Sequence, residues 1–532
     1  MRKGLKTWLG IASLVVLLVL TLTLPVRPAV AETVLKARLD SSIKQLDPIW
    51  STGYAIRAHG FLVYDTLFGL DEKLNVQPQM VDKYEVTDNG RVYSFTLRQG
   101  LKWHDGTPVT AKDCVASIKR WGARDGVGQK LMEATDKLEA LDDKTFKLTL
   151  KSPFGQVLTA LAKLTPNVPF MMKEEQAKTD PNEQVKEVIG SGPFKFVKEQ
   201  FQPGIKSVYV KNVDYVPRQE QASNTAGGKI PKVDRVEITW IPDPNTAMNA
   251  LIAGEIDYIQ DPPPDLQPTM KKAAGVKVEN MDALGSYGVI RLNHNQPPFN
   301  NVKARLAVLH ATNVEDALRA AVGNDPELFK PCYSIFSCAS PFASEEGSEP
   351  LKKPDFAKAK QLLQEAGYKG EPIVLLQATD DVFINAQCLV TAQNLRKAGF
   401  NVAMQAMDWS TLVSRRANKK SVAEGGWHAF QTWFYGLDFV NPVEHIPLGA
   451  ACDKAWFGWP CDEQIEKLRT AFVQEPDLAK QKEIAKALQK RAFEIVTYVP
   501  LGMFYQPVAY RADRLTGLLK SSAQIFWNVS KK

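Results

Sequence analysis

Between Phe95 and Trp121 the spacing of apolar positions changes twice. Phe95 and Leu97, then Leu101 and Trp103, alternate with polar neighbours on either side of Gly100, the period of half-buried strands broken by a turn. A hairpin is predicted there. Asp105, Gly106, Thr107 and Pro108 form a second turn, and Thr110 with Asp113 three residues on has the spacing of a helix capping box. In the helix that follows, Ala111, Cys114, Val115 and Ile118 fall at i, i+3, i+4 and i+7, which predicts one buried face and leaves Lys112, Lys119 and Arg120 in water. Farther along, β-rich stretches at Phe146 to Leu150, Lys206 to Val210 and Val233 to Ile241 alternate with amphipathic helices. One helix is predicted from Pro244 to Ala253, capped by Asp243 and closed by Gly254. Another starts after Asp355, repeats apolar residues at Ala359, Leu362, Leu363 and Ala366, and stops at Gly367, while Leu478 to Val496 is the longest.

The start of the chain adds a compartment to this mixed α and β pattern. Arg2, Lys3 and Lys6 precede an apolar stretch from Ile11 to Leu24, fourteen residues long. That is short against the roughly 17–25 residues of a membrane span. It has the form of an export signal, with Ala29-Val30-Ala31 supplying the small residues of a cut after Ala31. No cysteine lies near that junction, so an exported protein without a lipid anchor is expected. The formal charge of +7 falls to +3 when Arg2, Lys3, Lys6 and Arg27 leave with the signal, and the remaining basic residues are interleaved with acids, which argues against nucleic-acid binding. About 500 mature residues can bury more than one core and are expected to divide into at least two lobes.

Of six cysteines, Cys114 and Cys388 fall on apolar helix faces and read as small core residues. Cys332 with Cys338, and Cys452 with Cys461, each close a short loop and are the expected disulfides, since unpaired surface thiols are disfavoured in an oxidising compartment. No CxxC spacing points to a metal, and the six histidines show no close ligand pairing. Gly-x-Ser-x-Gly, His-Glu-x-x-His and P-loop motifs are absent, so no enzyme chemistry, metal or cofactor is expected.

The run Phe95 to Trp121 closely resembles the signature block of the extracellular solute-binding proteins of ABC importers, in the dipeptide, oligopeptide and nickel family, family 5. Leu46-Asp47-Pro48, Tyr64 to Phe68, Gly190-Ser191-Gly192-Pro193-Phe194, Leu251 to Asp257, Pro297-Pro298-Phe299 leading into Val302 to Ala311, and Ala357 to Tyr368 resemble that family's blocks in the same order. The resemblance implies a hinged, two-lobed α/β periplasmic binding protein fold with an extra subdomain in lobe I. Lobe I then takes residues 32–75, 190–288 and 501–532, the subdomain 76–189, and lobe II 289–500. The chain is expected to cross between lobes near Ser286 to Val289 and near Val499 to Gly502, where a few residues absorb the movement of closure.

The aromatic segment Trp433 to Pro442 is the candidate ligand site. Peptide-binding members carry a similar stretch whose first Asp anchors the ligand's ammonium group, and an ungapped match to Pro442 places Asp438 at that Asp and Tyr435 at the family's Trp. Asp438, Tyr435, Trp433 and Gly436, with Tyr287 at the first crossing, are the expected ligand-binding residues. A carboxylate in a cleft that dries on closure prefers a cation. The family's expected arginine for a ligand carboxylate is replaced by Asn385 and Ala386, and Arg396, Arg415 and Arg416 are the possible substitutes. The resemblance implies a periplasmic, monomeric binding protein that delivers a peptide or related amine-bearing solute to an inner-membrane permease with its ATPase subunits. A metal chelate, an opine or a sugar-derived ligand on the same fold is the alternative, and an exported hydrolase a more distant one.

Overall fold

The computed structural model describes residues 32–152, 154–475 and 477–532. The expected signal and its cut after Ala31 lie outside the described residues. Two large sheets organise the rest. The first has seven strands in the order Phe194–Phe196, Lys206–Lys211, Arg235–Thr239, Val34–Arg38, Tyr258–Gln260, Val508–Arg511 and Val276–Glu279. Its central strand Val34–Arg38 is parallel to both neighbours, and Val508–Arg511 returns from near the C-terminus to pair antiparallel between Tyr258–Gln260 and Val276–Glu279.

The second sheet has six strands in the order Phe329–Lys330, Val499–Phe504, Ser286–Leu292, Ala429–Tyr435, Ile373–Ala378 and Val402–Met407. Ser286–Leu292 and Ala429–Tyr435 are buried at every residue, as expected of strands covered on both faces. The chain passes between the two sheets at 280–285 and again at 505–507. Both segments expected to carry the crossings are instead strand, because Ser286–Leu292 is paired on one side by Ala429–Tyr435 and on the other by Val499–Phe504. Gly285 closes the first link at φ +66°, and a Cβ there would sit 2.8 Å from Met503 Cε and 2.9 Å from the Phe504 carbonyl, so a side chain is excluded.

A third, antiparallel sheet runs Val81–Thr87, Val92–Leu97, Thr145–Leu150, Thr135–Ala140. The hairpin predicted around Gly100 does not form. Both edges of Val92–Leu97 are taken by Val81–Thr87 and Thr145–Leu150, leaving Leu101 and Trp103 in a loop where the Trp103 amide donates to the Thr107 carbonyl. The capping box is present: Thr110 Oγ1 accepts from the Asp113 amide and the Thr110 amide donates to Asp113 Oδ2 at 2.8 Å, opening the helix Ala111–Arg124. Its inner face carries Ala111, Cys114, Ile118 and Trp121.

One polar position departs from the amphipathic pattern. Arg120, predicted to be wet, is buried and paired at 2.8 Å with Asp47, and neither side chain reaches solvent. A second donation to the Glu183 carbonyl at 2.7 Å helps satisfy the guanidinium. Helical periodicity places Arg120 at the edge of the buried face; the partner that draws it inside comes from 73 residues earlier. The helices Pro244–Ala253, Phe356–Glu365 and Leu478–Ile495 lie where the periodicity places them, capped by Asp243, Asp355 and Asp477. Cys332–Cys338 and Cys452–Cys461 are bonded, and Cys114 and Cys388 are buried free thiols.

Candidate ligand-binding site

The strand Ala429–Tyr435 ends against the first half of the molecule and turns at once into the short 3-10 segment Gly436–Phe439. The turn is tight enough that a Cβ on Gly436 would collide with the Leu284 carbonyl in the first link. Asp438 therefore projects at the junction of the halves and is fully buried. Tyr54, first residue of the helix Tyr54–Val63, meets it from the other side: its hydroxyl donates to Asp438 Oδ2 at 2.7 Å and accepts from the Tyr435 amide at 3.0 Å. The Tyr54 ring stacks on Trp433 at 4.8 Å and meets Tyr435 edge-on at 4.6 Å. One turn further, the Arg57 guanidinium lies 4.6 and 4.9 Å from the Tyr54 and Tyr435 ring centres. Gln260, in the first sheet, and Gln524, in the C-terminal segment that follows the strand Val508–Arg511 of that sheet, donate to the Tyr435 hydroxyl at 3.2 and 3.3 Å.

Burial pushes the Asp438 carboxyl up to about 6, against the Tyr54 hydrogen bond and the nearby charges of Arg57 and Lys163. Its Oδ1 is buried without a hydrogen-bond partner. Other carboxyls at the junction are raised in the same way. Burial raises Asp282, in the first link, to about 6, and Asp40 to about 7, the latter with help from the charge of Asp381. Asp381 is itself raised to about 6 by burial, although it caps the helix Val382–Lys397 and accepts from Trp433 Nε1 at 2.9 Å. Among the described residues no group of three or more His, Cys, Asp or Glu side chains is arranged to hold a metal ion.

Asp438, Trp433, Tyr435 and Gly436 thus come together. Tyr287 does not join them: its hydroxyl bonds Ser337 Oγ and accepts from the Cys338 amide, both at 3.0 Å, and its ring stacks on Phe439 at 5.1 Å. Its place is behind the 3-10 segment, against the Cys332–Cys338 loop. Of the three arginines considered for a ligand carboxylate, Arg396 and Arg415 are spent on backbone carbonyls. Arg416 is at the junction, donating to Thr52 Oγ1 at 2.8 Å among the rings of Trp409, Phe430, Trp456 and Phe457, and burial lowers it to about 9.

Beside this sealed centre lies a cavity of about 510 Å³. Its lining includes Trp50 and Arg124 from the N-terminal part of the chain and Glu444, Trp456 and Phe457 from the part after Ala429–Tyr435. Trp456 and Phe457 sit within the loop closed by Cys452–Cys461, so that disulfide braces a cavity wall. Tyr54, Arg57, Arg124 and Glu444 carry no local sequence signal for this role. Each is defined by what faces it across the junction.

The family model for bacterial extracellular solute-binding proteins, family 5, matches residues 75–443. A probable peptide ABC transporter periplasmic-binding protein of Sinorhizobium fredii is 41% identical over 493 residues, covering 92% of both chains. A glutathione-binding protein of Salmonella typhi is 27% identical over 509 residues, again 92% of each. Among solved structures, the oligopeptide-binding protein AppA of Bacillus subtilis, in complex with a nonapeptide, aligns at a TM-score of 0.79 with 22% identity over 94% of this chain and 99% of its own. The periplasmic binding protein AgaA of A. tumefaciens R10, in complex with agropinic acid, gives the same TM-score, identity and coverage. The fold is the two-lobed α/β architecture of these proteins, and the chain belongs to the bacterial extracellular solute-binding proteins, family 5.

Proposed function

We propose that this chain is the substrate-binding component of an ABC importer, capturing a peptide or a related small amine-bearing solute between its two halves and delivering it to a membrane permease with its ATPase subunits. The observation that carries this reading is Asp438, a buried carboxylate at the junction with one oxygen held by Tyr54 and the other unpartnered. A ligand ammonium taking the place of the Tyr54 hydroxyl would form a charge-assisted hydrogen bond and neutralise a charge that burial penalises. Trp433 and Tyr435 supply aromatic walls, Gly436 allows the turn that aims Asp438, and Tyr287 braces that turn from behind.

Lobe I in this reading is 32–75, 190–285 and 505–532, with 76–189 as its subdomain and 286–504 as lobe II; the expected bounds at 288/289 and 500/501 move outward to the ends of the strands Ser286–Leu292 and Val499–Phe504, and the links 280–285 and 505–507 act as the hinge. The protein works in the periplasm as a monomer after its leader is cut behind Ala31, and it catalyses no reaction on its cargo. The 41% identity to a probable peptide transporter component along nearly all of both chains supports the peptide class. Native mass spectrometry of the purified protein tests it. Recovery of a free-amine solute supports the reading, and recovery of a neutral sugar or a metal complex overturns it.

A further inference from the structure

The cavity beside Asp438 is lined by charges, and most of them are already neutralised within the protein. Lys130 pairs with Glu133 at 3.2 Å and Glu466 at 3.1 Å, Arg469 with Glu466 at 3.0 Å, Lys419 with Asp453 at 3.1 Å, and Asp125 with Lys163 at 2.8 Å. Arg124 and Glu444 differ. Arg124, the last residue of its helix, donates to Asn182 Oδ1 and the Trp50 carbonyl, both at 3.2 Å, while its Nε is buried without an acceptor and no carboxylate stands within ion-pair distance among the described residues. Glu444 lines the same cavity with no cationic partner at ion-pair distance among the described residues. Its backbone amide is taken by Asn441 Oδ1 at 3.0 Å, which fixes where the side chain starts. Burial raises its carboxyl to about 7, against the charge of Lys163, which is itself paired with Asp125, and the Asn441 side chain. Trp456 adds a second buried donor without an acceptor, its Nε1.

A partly buried charge without a counter-charge carries a desolvation cost, and a ligand that supplies the missing partner recovers it on binding. Lys454, the third lining charge without an ion-pair partner among the described residues, is exposed to water, whereas Arg124 and Glu444 are partly buried and of opposite sign; they line the one cavity from 76–189 and from the segment after Ala429–Tyr435, so one solute spanning them would also hold the halves together. The volume falls in the usual range for small-ligand sites, roughly 300–1,000 Å³. It adjoins the sealed centre through Thr52, which also lines a small gap bordered by Tyr54, Trp433, Asp381 and Arg416. A solute whose amine is held at Asp438 would extend into it.

We propose that Arg124 receives the carboxylate of the bound solute and Glu444 a cationic group on it, so that the preferred cargo is a peptide longer than two residues with a basic side chain. The aromatic walls suit such a side chain, offering apolar contact to its stem and ring faces to its charge. This inference rests on the reading of the protein as a peptide-binding component.

Calorimetry with defined tripeptides separates the two roles. The probes are alanyl-alanyl-lysine, its C-terminal amide, and trialanine, titrated into the wild-type protein and into Glu444→Gln and Arg124→Gln. Wild type should prefer the lysine peptide over trialanine by about tenfold and lose about tenfold on amidation. Glu444→Gln should erase the lysine preference and keep the amidation penalty, and Arg124→Gln should do the reverse. Because each effect is a ratio between two ligands on one protein, partial loss of folded material does not imitate it. A lysine preference retained in Glu444→Gln, or an amidation penalty retained in Arg124→Gln, overturns the corresponding assignment. Wild type that binds trialanine as tightly as the lysine peptide overturns the cargo class while leaving the peptide reading intact. Failure of all three peptides to bind wild type removes the peptide reading, and this inference with it.

Discussion

The helix Ala111–Arg124 and the strand Ala429–Tyr435 are both built around buried aromatic residues, yet they answer to different partners. The helix is set by neighbours in its own segment: a capping box at Thr110 and Asp113, and an apolar stripe laid on the adjacent antiparallel sheet. The strand is set by residues far away in the chain, with Tyr54 stacked on Trp433 and bonded to Asp438, and Gln260 and Gln524 on Tyr435. The first region, the frame, is therefore held mainly from within its own subdomain, and the second, the joint, lies where the two halves meet. Where the two kinds of region meet, at Arg124 on the end of the helix, the frame contributes a charge to the cavity.

The strongest way to break the frame is at Arg120 and Asp47. Removing either partner leaves a buried charge uncompensated, at a cost of about 3–5 kcal/mol. Arg120→Ala is expected to lower the urea midpoint by the corresponding amount, and a loss within error of zero would show the pair to be dispensable. At the joint, pH is the sharper tool. Burial holds the Asp438 and Asp282 carboxyls at about 6 and Asp40 at about 7, and parting the halves returns them toward the ordinary 3.8. The contact between the halves is thus fully favoured below about pH 4 and loses stability as pH rises through 6 to 7, by about 1.4 kcal/mol for each pH unit separating a carboxyl's closed and open values. Small-angle scattering should show the radius of gyration increasing over that window in the absence of cargo, and a flat profile would contradict the arrangement.

A smaller effect is expected from Tyr54→Phe, which deprives buried Asp438 of its donor and costs the contact about 1–3 kcal/mol. The same scattering measurement at constant pH should register more of the open form in that variant. The smallest is Thr110→Ala. Loss of the cap should cost about 1 kcal/mol of global stability by urea titration and leave the scattering profile unchanged. A change in lobe opening in Thr110→Ala would mean that frame and joint are not separate.

Local elements were legible in the chain because their causes are local. The caps at Thr110, Asp243 and Asp355, the apolar repeats behind them and the two short disulfide loops all lie within a few residues of their partners. The misplaced details share the opposite character. Arg120 is buried because Asp47 waits for it, Leu101 and Trp103 stay out of a hairpin because other strands already flank Val92–Leu97, and the links lie at 280–285 and 505–507 because strand pairing extends past the expected crossings. The aromatic segment was found by its resemblance to a family motif, which locates Asp438 but says nothing of Tyr54, Arg57, Arg124 or Glu444. Tyr54, Arg57 and Arg124 enter through the facing half, where no periodicity or spacing along the chain connects them to the strand they serve, and Glu444, two residues past the motif, is marked only by the cavity it lines.

The central claim is that a buried carboxylate at the joint selects an amine. Calorimetric titration of the free-amine solute recovered by native mass spectrometry into wild type and into Asp438→Ala tests it most directly. The account predicts that the variant binds at least about tenfold more weakly. Equal affinity in the two proteins would contradict it.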